Sequence, residues 1–290
     1  MVEVNPKEIP VGKMHSYLLG AVIPRPIAFA STVDLQGNVN LSPFSFFNVF
    51  SANPPILIFS PSRRGRDNST KHTYENVLEV PEVVINIVTY KMVEQASLAS
   101  VEYAKGVNEF VKAGFAEEKS KIVKPPRVRE SPISFECKVN GVIPLGKEGG
   151  AGNLVIAEVL LMHINENVLD DEGKIDPYKL DAVARMGGDL YSRAKGEVFK
   201  VPKPVNSVGI GFDNIPDHIR KSNVLTGNDL GRLGNVEQLP SGKQIEEFSG
   251  RQDVQDAHQM GIKDVHRLAQ KFLTSEKVLE AWMVLLSKNH

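Results

Sequence analysis

The sequence predicts a mainly β fold with flanking helices, followed by a helical extension at the C-terminal end. The first half of the chain holds many short apolar runs with few helical segments between them, which argues against a doubly wound parallel sheet and favours a small closed or half-closed barrel. The composition changes after KVPKP at residues 200–204, and apolar residues then recur at helical spacing over residues 262–287. We therefore expect a first domain at residues 1–204 and a C-terminal extension at residues 205–290.

The first predicted strands follow one another closely. The run RPIAFASTVDLQGNVNLSPFSFFNVF holds two extended segments, joined by a polar, glycine-containing turn at Asp34–Asn38. PPILIFSPS is a short apolar strand bounded by prolines. STKHTYENVLEV has helical spacing, with Ser69 or Thr70 as the expected N-cap. EVVINIVT is the next strand.

Two short helices and two further strands complete the first domain. The helices are predicted at residues 92–105 and 107–113. The strands are ISFECKVNGVIPLG and NLVIAEVLLMHINENV, on either side of a glycine-rich turn.

The extension is expected to begin as a loop and to end as a helix. Residues 205–240 contain five glycines and two prolines, which is typical of irregular structure. Farther on, two apolar stripes predict an amphipathic helix or helical hairpin: Val265, Leu268, Phe272 and Leu273 in one, and Val278, Leu279, Trp282, Leu285 and Leu286 in the other. Because such stripes must be buried, we expect them to pack on the barrel or on a partner subunit and to limit access to its binding site.

Charge and composition exclude several classes of function. The net charge of -1 provides no field that would gather nucleic acid or an anionic membrane, although Arg63, Arg64 and Arg66 form a local cluster that is either a solvated loop or a small anion site. The single cysteine, Cys137, excludes an intramolecular disulfide and is expected to be a buried thiol. The chain starts with MVEVNPKEIP and has no long apolar run, so we expect a cytoplasmic protein without a membrane span.

Several familiar motifs fail on inspection. GVIPLGKE at residues 141–148 has P-loop spacing, but Glu148 stands in place of the Ser or Thr that holds magnesium, and a turn and strand follow instead of a helix. A hairpin turn explains this segment. GAGNLV lacks the third glycine of a dinucleotide fingerprint, no GxSxG elbow is present, and the histidines show no metal-ligand spacing, so we expect no metal site.

The stretch NLSPFSFFN at residues 40–48 is the most informative. It combines three phenylalanines with two serines and two asparagines, which is too polar for a core strand and too aromatic for a solvent loop. Three motifs flank it in order, namely RPIA with a following ST, then PP, and then KHT with an asparagine three residues later. The matching residues are Arg25, Pro26, Ile27, Ala28, Ser31, Thr32, Asp34, Gly37, Asn40, Ser42, Pro43, Phe44, Ser45, Phe47, Asn48, Pro54, Pro55, Lys71, Thr73 and Asn76.

This order of motifs resembles the FMN-binding split-barrel family of flavin reductase-like proteins and flavoredoxins. The resemblance covers roughly residues 10–204, and it is specific because four motifs occur in sequence. His72 departs from the pattern, because the family usually has a carboxylate or amide there. The resemblance implies a split β-barrel, bound FMN and a homodimer with two flavin sites near the interface.

The resemblance also implies which residues bind FMN. An isoalloxazine ring is apolar on its faces and polar at its pyrimidine edge, so it suits a segment of aromatic and short polar side chains. We assign the ring and ribityl chain to Asn40, Leu41, Ser42, Pro43, Phe44, Ser45, Phe46, Phe47 and Asn48. Phe44 and Phe46 share one face of a strand, so we expect one phenylalanine to touch the ring and the others to fill the barrel.

The FMN phosphate is expected near the helix that follows. We assign it to Lys71, Thr73 and the start of that helix, where the helix dipole adds support. The remaining assigned residues are Ser60, Ser62, Arg63 and Asn76. Arg25 is expected to form a structural ion pair, and Tyr191 in ARMGGDLYSR either reaches the neighbouring subunit's flavin or packs the interface.

The leading functional hypothesis is an FMN-dependent oxidoreductase in which NAD(P)H reduces bound FMN, and FMN passes electrons to a small-molecule or protein acceptor. No catalytic residue is assigned, because hydride transfer to flavin requires no general acid or base. Two alternatives remain open. One is a flavoredoxin-type electron carrier without a nicotinamide site, and the other is a non-catalytic flavin- or haem-binding dimer.

Overall fold

A computed structural model describes residues 1–201 and 208–287. The chain divides into two compact units, Met1–Val198 and Phe199–His290. The predicted domain boundary between residues 204 and 205 lies outside the described residues. Within the described ranges, no helix is long and apolar enough to cross a bilayer.

The first unit is built on a seven-stranded antiparallel sheet with the strand order β2-β1-β5-β8-β9-β4-β3. Two small two-stranded sheets, β6-β7 and β10-β11, accompany it. The strands are β1 (Ala28–Val33), β2 (Val39–Phe44), β3 (Phe47–Ala52), β4 (Pro55–Phe59), β5 (Glu82–Ile87), β6 (Glu117–Glu118), β7 (Arg127–Val128), β8 (Ile133–Pro144), β9 (Asn153–Ile164), β10 (Val183–Gly187) and β11 (Leu190–Arg193).

The sheet curves because its two edge strands are consecutive in the chain. β2 and β3 lie at opposite edges, yet only Ser45 and Phe46 separate them. The sheet must therefore bend until its edges approach each other. The amide of Ser60 donates to the carbonyl of Phe46 at 2.9 Å, which extends the β3–β4 pairing up to this short connection. This is the half-closed barrel that the sequence predicts.

Side-chain alternation along the strands creates two apolar layers. Phe29 and Leu41 lie in one layer, whereas Ala28, Ala30 and Phe44 lie in the other. The helices of the unit are α1 (Val11–Ala21), α2 (His72–Glu79), α3 (Val93–Leu98), α4 (Glu109–Ala113) and α5 (Pro177–Leu180), with 3-10 turns at Tyr90–Met92 and Glu166–Val168. Cys137 is fully buried, and burial, followed by the charge of Glu136, raises its pKa to about 12, so it is a structural thiol as predicted.

Two local predictions for this unit are confirmed. In the turn after β1, the Asp34 carboxylate accepts the amides of Gln36 and Asn38, and Gly37 takes a φ of 83° that favours glycine. The P-loop-like segment is a connection between two paired strands, β8 ending at Pro144 and β9 beginning at Asn153, as predicted.

Two other predictions were wrong. α2 begins at His72 with Lys71 at the N-cap and no capping side chain. The Ser69 hydroxyl instead donates to Asp67 in the preceding loop, and the Thr70 hydroxyl donates to the side chain of Glu75 on α2. The helix predicted over residues 92–105 is shorter in the structure, where α3 ends at Leu98.

A buried carboxylate holds one loop against the sheet. Glu136 on β8 accepts the amides of Lys121 and Ile122 at 2.8 and 2.7 Å, and it contacts His163 on β9 at 2.7 Å. Burial alone would raise the pKa of Glu136, but these hydrogen bonds outweigh it, and the pKa lies below its usual 4.5. The ionised carboxylate therefore stabilises the fold.

The second unit is helical and has its own core. Its helices are α6 (Asp217–Arg220), α7 (Gly227–Gly234), α8 (Gly242–Ser249), α9 (Gln252–Met260), α10 (Ile262–Thr274) and α11 (Val278–Leu286). The core surrounds Trp282, which is fully buried and donates to the carbonyl of Leu233 at 3.1 Å. The predicted C-terminal apolar stripes form the hairpin of α10 and α11.

The loop predicted over residues 205–240 was wrong where the structure describes it. α6 and α7 lie there, and α7 begins with a capping box in which Thr226 and Asp229 bond reciprocally. α8 and α9 were not predicted at all, although Ser241 and Gln244 form a second capping box.

Candidate functional site

A polar pocket opens where β2 meets the start of α2. Its walls come from β2, the loop before α2, the loop after α3, and α4. We call it the basic pocket, and it is lined by Asn40, Ser42, Arg64, Lys71, His72, Thr73, Ala99, Ser100, Val101, Glu102, Tyr103 and Glu109.

Positive charge is concentrated at one end of the basic pocket. Arg64 donates to the Glu102 carboxylate at 2.9 Å, and the Lys71 ammonium lies 3.6 Å from the same carboxylate. Arg66 also pairs with Glu102. Burial, followed by the charge of Arg64, lowers the pKa of Lys71 even though Glu102 opposes the shift. Among the residues that line the pocket, Arg64 and Lys71 therefore share the Glu102 carboxylate, which leaves this end able to accept an anion.

Polar side chains line the rest of the basic pocket. The Asn40 amide donates to the Thr73 hydroxyl at 2.8 Å, which ties β2 to the first turn of α2. Burial lowers the pKa of His72, so its ring favours the neutral form. Glu109 is buried on the opposite wall and accepts the Leu41 amide at 2.9 Å; burial raises its pKa.

A second pocket continues along β2. We call it the Arg185 pocket, and it is lined by Ile27, Pro43, Ser45, Val88, Val93, Ala96, Ser97, Ser100, Arg185 and Tyr191. Ser100 lines both pockets, and β2 supplies Asn40 and Ser42 to the first and Pro43 to the second. The lining of the Arg185 pocket combines apolar side chains such as Val88 and Val93 with the hydroxyl-bearing side chains of Ser97 and Ser100.

Six of the residues assigned from the sequence line these pockets. Asn40, Ser42, Lys71 and Thr73 line the basic pocket, whereas Pro43 and Ser45 line the Arg185 pocket. The Leu41 side chain lines neither pocket, but its backbone amide donates to the carboxylate of Glu109, which lines the basic pocket. Asn76 lies one turn deeper in α2, where it donates to the Thr32 hydroxyl at 3.1 Å.

The three phenylalanines have different environments, and none lines either pocket. Phe44 is buried against Phe59, with ring centroids 5.4 Å apart. Phe47 packs on the same apolar layer. Phe46 is 37% exposed, and its ring meets His15 edge-on.

Four further assigned residues lie outside the two pockets. The Ser60 hydroxyl accepts the amide of Asn153, and Arg63 donates to the side chain and carbonyl of Asn68. Asn48 is exposed on β3, and its side chain accepts the amide of Val49. Ser62 is half-buried in the loop after β4.

Several pocket residues were not found by sequence reasoning. Arg64 was noted only as part of a charge cluster, and Arg185 was not singled out. Further polar lining residues come from α3, from the loop after it and from α4, namely Ser97, Ser100, Glu102, Tyr103 and Glu109. These segments contain no recognisable sequence motif. Only the tertiary fold brings them next to β2, so no signal in the sequence points to them.

Arg25 forms no ion pair among the described residues, contrary to the prediction. Its guanidinium instead donates to the carbonyls of Leu19 and Val22 at the end of α1, and more weakly to the Ser45 hydroxyl at 3.4 Å. No cluster of three His, Cys, Asp or Glu side chains in residues 1–201 and 208–287 could hold a metal ion.

The two pockets together can accept an elongated ligand with an anionic end and a less polar body. Comparisons with known proteins identify the family of the chain. The family model described as flavin reductase like domain matches residues 19–184. An uncharacterized protein of Aquifex aeolicus is 38% identical over 191 residues, which span 66% of this chain and 95% of the relative.

Solved structures give the same result. Nitrilotriacetate monooxygenase component B from Bacillus cereus superposes with a TM-score of 0.65 and 30% identity, covering 69% of this chain and 98% of that protein. A split-barrel structure from Shewanella frigidimarina gives a TM-score of 0.58 and 27% identity, covering 68% and 95%. The chain therefore belongs to the flavin reductase-like family of split-barrel flavoproteins.

Proposed function

We propose that the protein is an FMN-dependent oxidoreductase that takes electrons from NAD(P)H and passes them to an acceptor. The observation that carries this proposal is that two pockets lined by residues of β2 adjoin at Ser100. One pocket offers an anion site, and the other offers apolar side chains together with hydroxyl groups. FMN has a dianionic phosphate at one end of a ribityl chain and a flat ring at the other.

The basic pocket fits the FMN phosphate. Lys71 and Arg64 converge there, and the Thr73 hydroxyl adds a donor at the same wall. The first amides of α2 have no acceptor within the helix and carry the positive end of its dipole. Burial and then repulsion by Arg64 lower the pKa of Lys71, and a bound phosphate would offset both effects.

The Arg185 pocket fits a ring with apolar faces and polar edges. Pro43, Val88 and Val93 offer apolar contact, and Ser45, Ser97 and Ser100 offer hydroxyl groups. Bound FMN supplies the redox chemistry, since it accepts two electrons from a hydride donor and returns them to an acceptor. The protein residues hold and orient the ring and restrict the access of water.

The proposal also includes the oligomeric state of the protein and the class of electron acceptor. We propose a homodimer, because Val49 and Phe50 on the edge strand β3 are 64% and 63% exposed, and an exposed apolar edge favours association. The acceptor is a small molecule or a second protein. The second possibility is supported by the relative from Bacillus cereus, which is named as one component of a monooxygenase.

Two measurements on the purified protein test this function. The visible absorption spectrum, followed by extraction of the bound group, distinguishes FMN from riboflavin, FAD and haem. Anaerobic mixing with NADH and with NADPH then separates the alternatives. Rapid bleaching of the flavin band by either nucleotide is the expected result. A flavin that dithionite reduces but neither nucleotide does would indicate an electron carrier instead.

A further inference from the structure

Two arginines meet beside the Arg185 pocket. The backbone amides of Arg25 and Arg185 donate to each other's carbonyls at 2.9 and 2.8 Å, which forms an antiparallel bridge. Directly paired residues in such a bridge project to the same side, so both guanidinium groups lie together. In agreement, burial, followed by the charge of Arg185, lowers the pKa of Arg25.

Neither guanidinium has a charged partner within residues 1–201 and 208–287. Arg25 is only 4% exposed; it donates to two carbonyls of α1 and to Ser45, and its Nη2 atom has no partner. Arg185 donates to the Tyr191 hydroxyl at 2.8 Å and to the Gly188 carbonyl at 2.6 Å, and its buried Nε atom has no partner. Arg25 is buried and Arg185 is half-buried, and no carboxylate neutralises either of them in the described part of the chain, so their positive charge remains available to a ligand in the pocket.

The position of the pair is fixed by close packing. A Cβ atom on Gly187 would lie 3.2 Å from the Leu19 carbonyl oxygen, to which Arg25 also donates. The β10–β11 hairpin is therefore held against the end of α1. The Arg185 guanidinium lies 4.8 Å from the centre of the Tyr191 ring, and both side chains line the pocket. The hydrogen bonds of Arg25 to carbonyls at the end of α1 are those of a residue that caps a helix end. Capping does not explain why a second arginine, Arg185, lies beside it.

We propose that Arg25 and Arg185 make the ring pocket selective for a ligand that gains negative charge there, which is the two-electron-reduced form of flavin. This inference rests on the proposed function. A hydride donor transfers two electrons and one proton, so a neutral oxidised ring becomes an anion unless it takes a second proton from solvent. The arginine pair stabilises the anion and makes the second proton unnecessary. Arg185 and Tyr191 are the titratable residues in this pocket wall among the described residues.

The test is the midpoint potential of bound FMN, measured by anaerobic equilibration with a reference dye. Arg185→Gln removes one charge and should lower the affinity for reduced relative to oxidised FMN by about tenfold, which corresponds to about 30 mV for a two-electron couple. Arg185→Lys keeps the charge and should keep the potential. Arg193→Gln is the matched control, because Arg193 lies on the same hairpin but pairs with Asp181 and does not line the pocket.

The pH dependence of the potential gives an independent readout. At a pH where free reduced FMN is neutral, wild-type protein should take up one proton per two electrons, and Arg185→Gln should approach two. Uptake of two protons by the wild type would overturn the inference, even if Arg185→Gln fails to fold. An unchanged midpoint potential in Arg185→Gln would also overturn it. So would a midpoint potential that changes as much in Arg185→Lys as in Arg185→Gln. Failure of the wild type to bind FMN would overturn the proposed function as well.

Discussion

Replacing Lys71 with alanine should distinguish FMN from riboflavin, which lacks the phosphate. The Lys71 ammonium is partly buried beside Arg64 and lies 3.6 Å from Glu102. Because that ion pair is about one-third exposed, its loss should cost the free protein no more than about 1 kcal/mol. The main effect should appear only when a phosphate occupies the basic pocket.

The size of the effect follows from the contact that is lost. A hydrogen bond to a charged group contributes about 1.5–3 kcal/mol. The affinity for FMN should therefore fall by about tenfold to a hundredfold, at about 1.4 kcal/mol per factor of ten. Affinity for riboflavin should stay the same. Fluorescence titration of flavin-free protein with each ligand measures both values.

Lys105→Ala provides the matched control. Lys105 lies close in the sequence and pairs with Glu75 on α2 at 3.3 Å, but it does not line the basic pocket. Its replacement should leave both affinities unchanged. An equal loss of FMN and riboflavin affinity in Lys71→Ala would mean that Lys71 supports the fold or the ring site. No loss of either would mean that the phosphate binds elsewhere.

Three further predictions concern stability and assembly. Glu136→Gln should lower the free energy of unfolding by about 1.5–3 kcal/mol near neutral pH, because a neutral amide replaces a buried carboxylate that accepts two backbone amides. Since the folded pKa of Glu136 lies below the unfolded 4.5, its contribution is present above that pH and is lost on acidification, so denaturant unfolding of the variant should lack this part of the acid dependence. A chain of residues 1–201 should still bind FMN, because the two units have separate apolar cores; a stable truncated protein without flavin would show that residues 202–290 help to build the site. Phe50→Glu should shift sedimentation from dimer to monomer, and a wild type that sediments as a monomer while it holds FMN would contradict the proposed assembly.

Strand patterning made the first unit largely predictable. Alternation in AFASTV and in VNLSPF reflects a sheet with two different apolar layers, and the prolines around β4 mark its ends. The second unit was harder to predict because its glycines suggested loops. Gly227 and Gly234 instead begin and end α7, and the Thr226 capping box outweighs their low helix propensity.

The lining of the candidate site was predictable only for residues that belong to a recognisable motif. The KHT segment and the start of NLSPFSFFN lie together at the basic pocket because Asn40 bonds Thr73 across 33 positions of the chain. Glu109 and Arg185 could not be predicted, because they lie on α4 and β10, which are distant in sequence from β2 and reach the pockets only in the folded chain. Phe44 and Phe47 pack in the barrel and Phe46 is partly exposed, so a ring contact by one phenylalanine stays a prediction.

The central claim is that the two pockets along β2 hold FMN, with its phosphate in the basic pocket. The most direct test is a titration of flavin-free full-length protein with FMN and with riboflavin, with stoichiometry and affinity measured for each. We expect one FMN per chain and substantially weaker binding of riboflavin. Absence of saturable FMN binding, or equal affinity for both ligands, would contradict the claim.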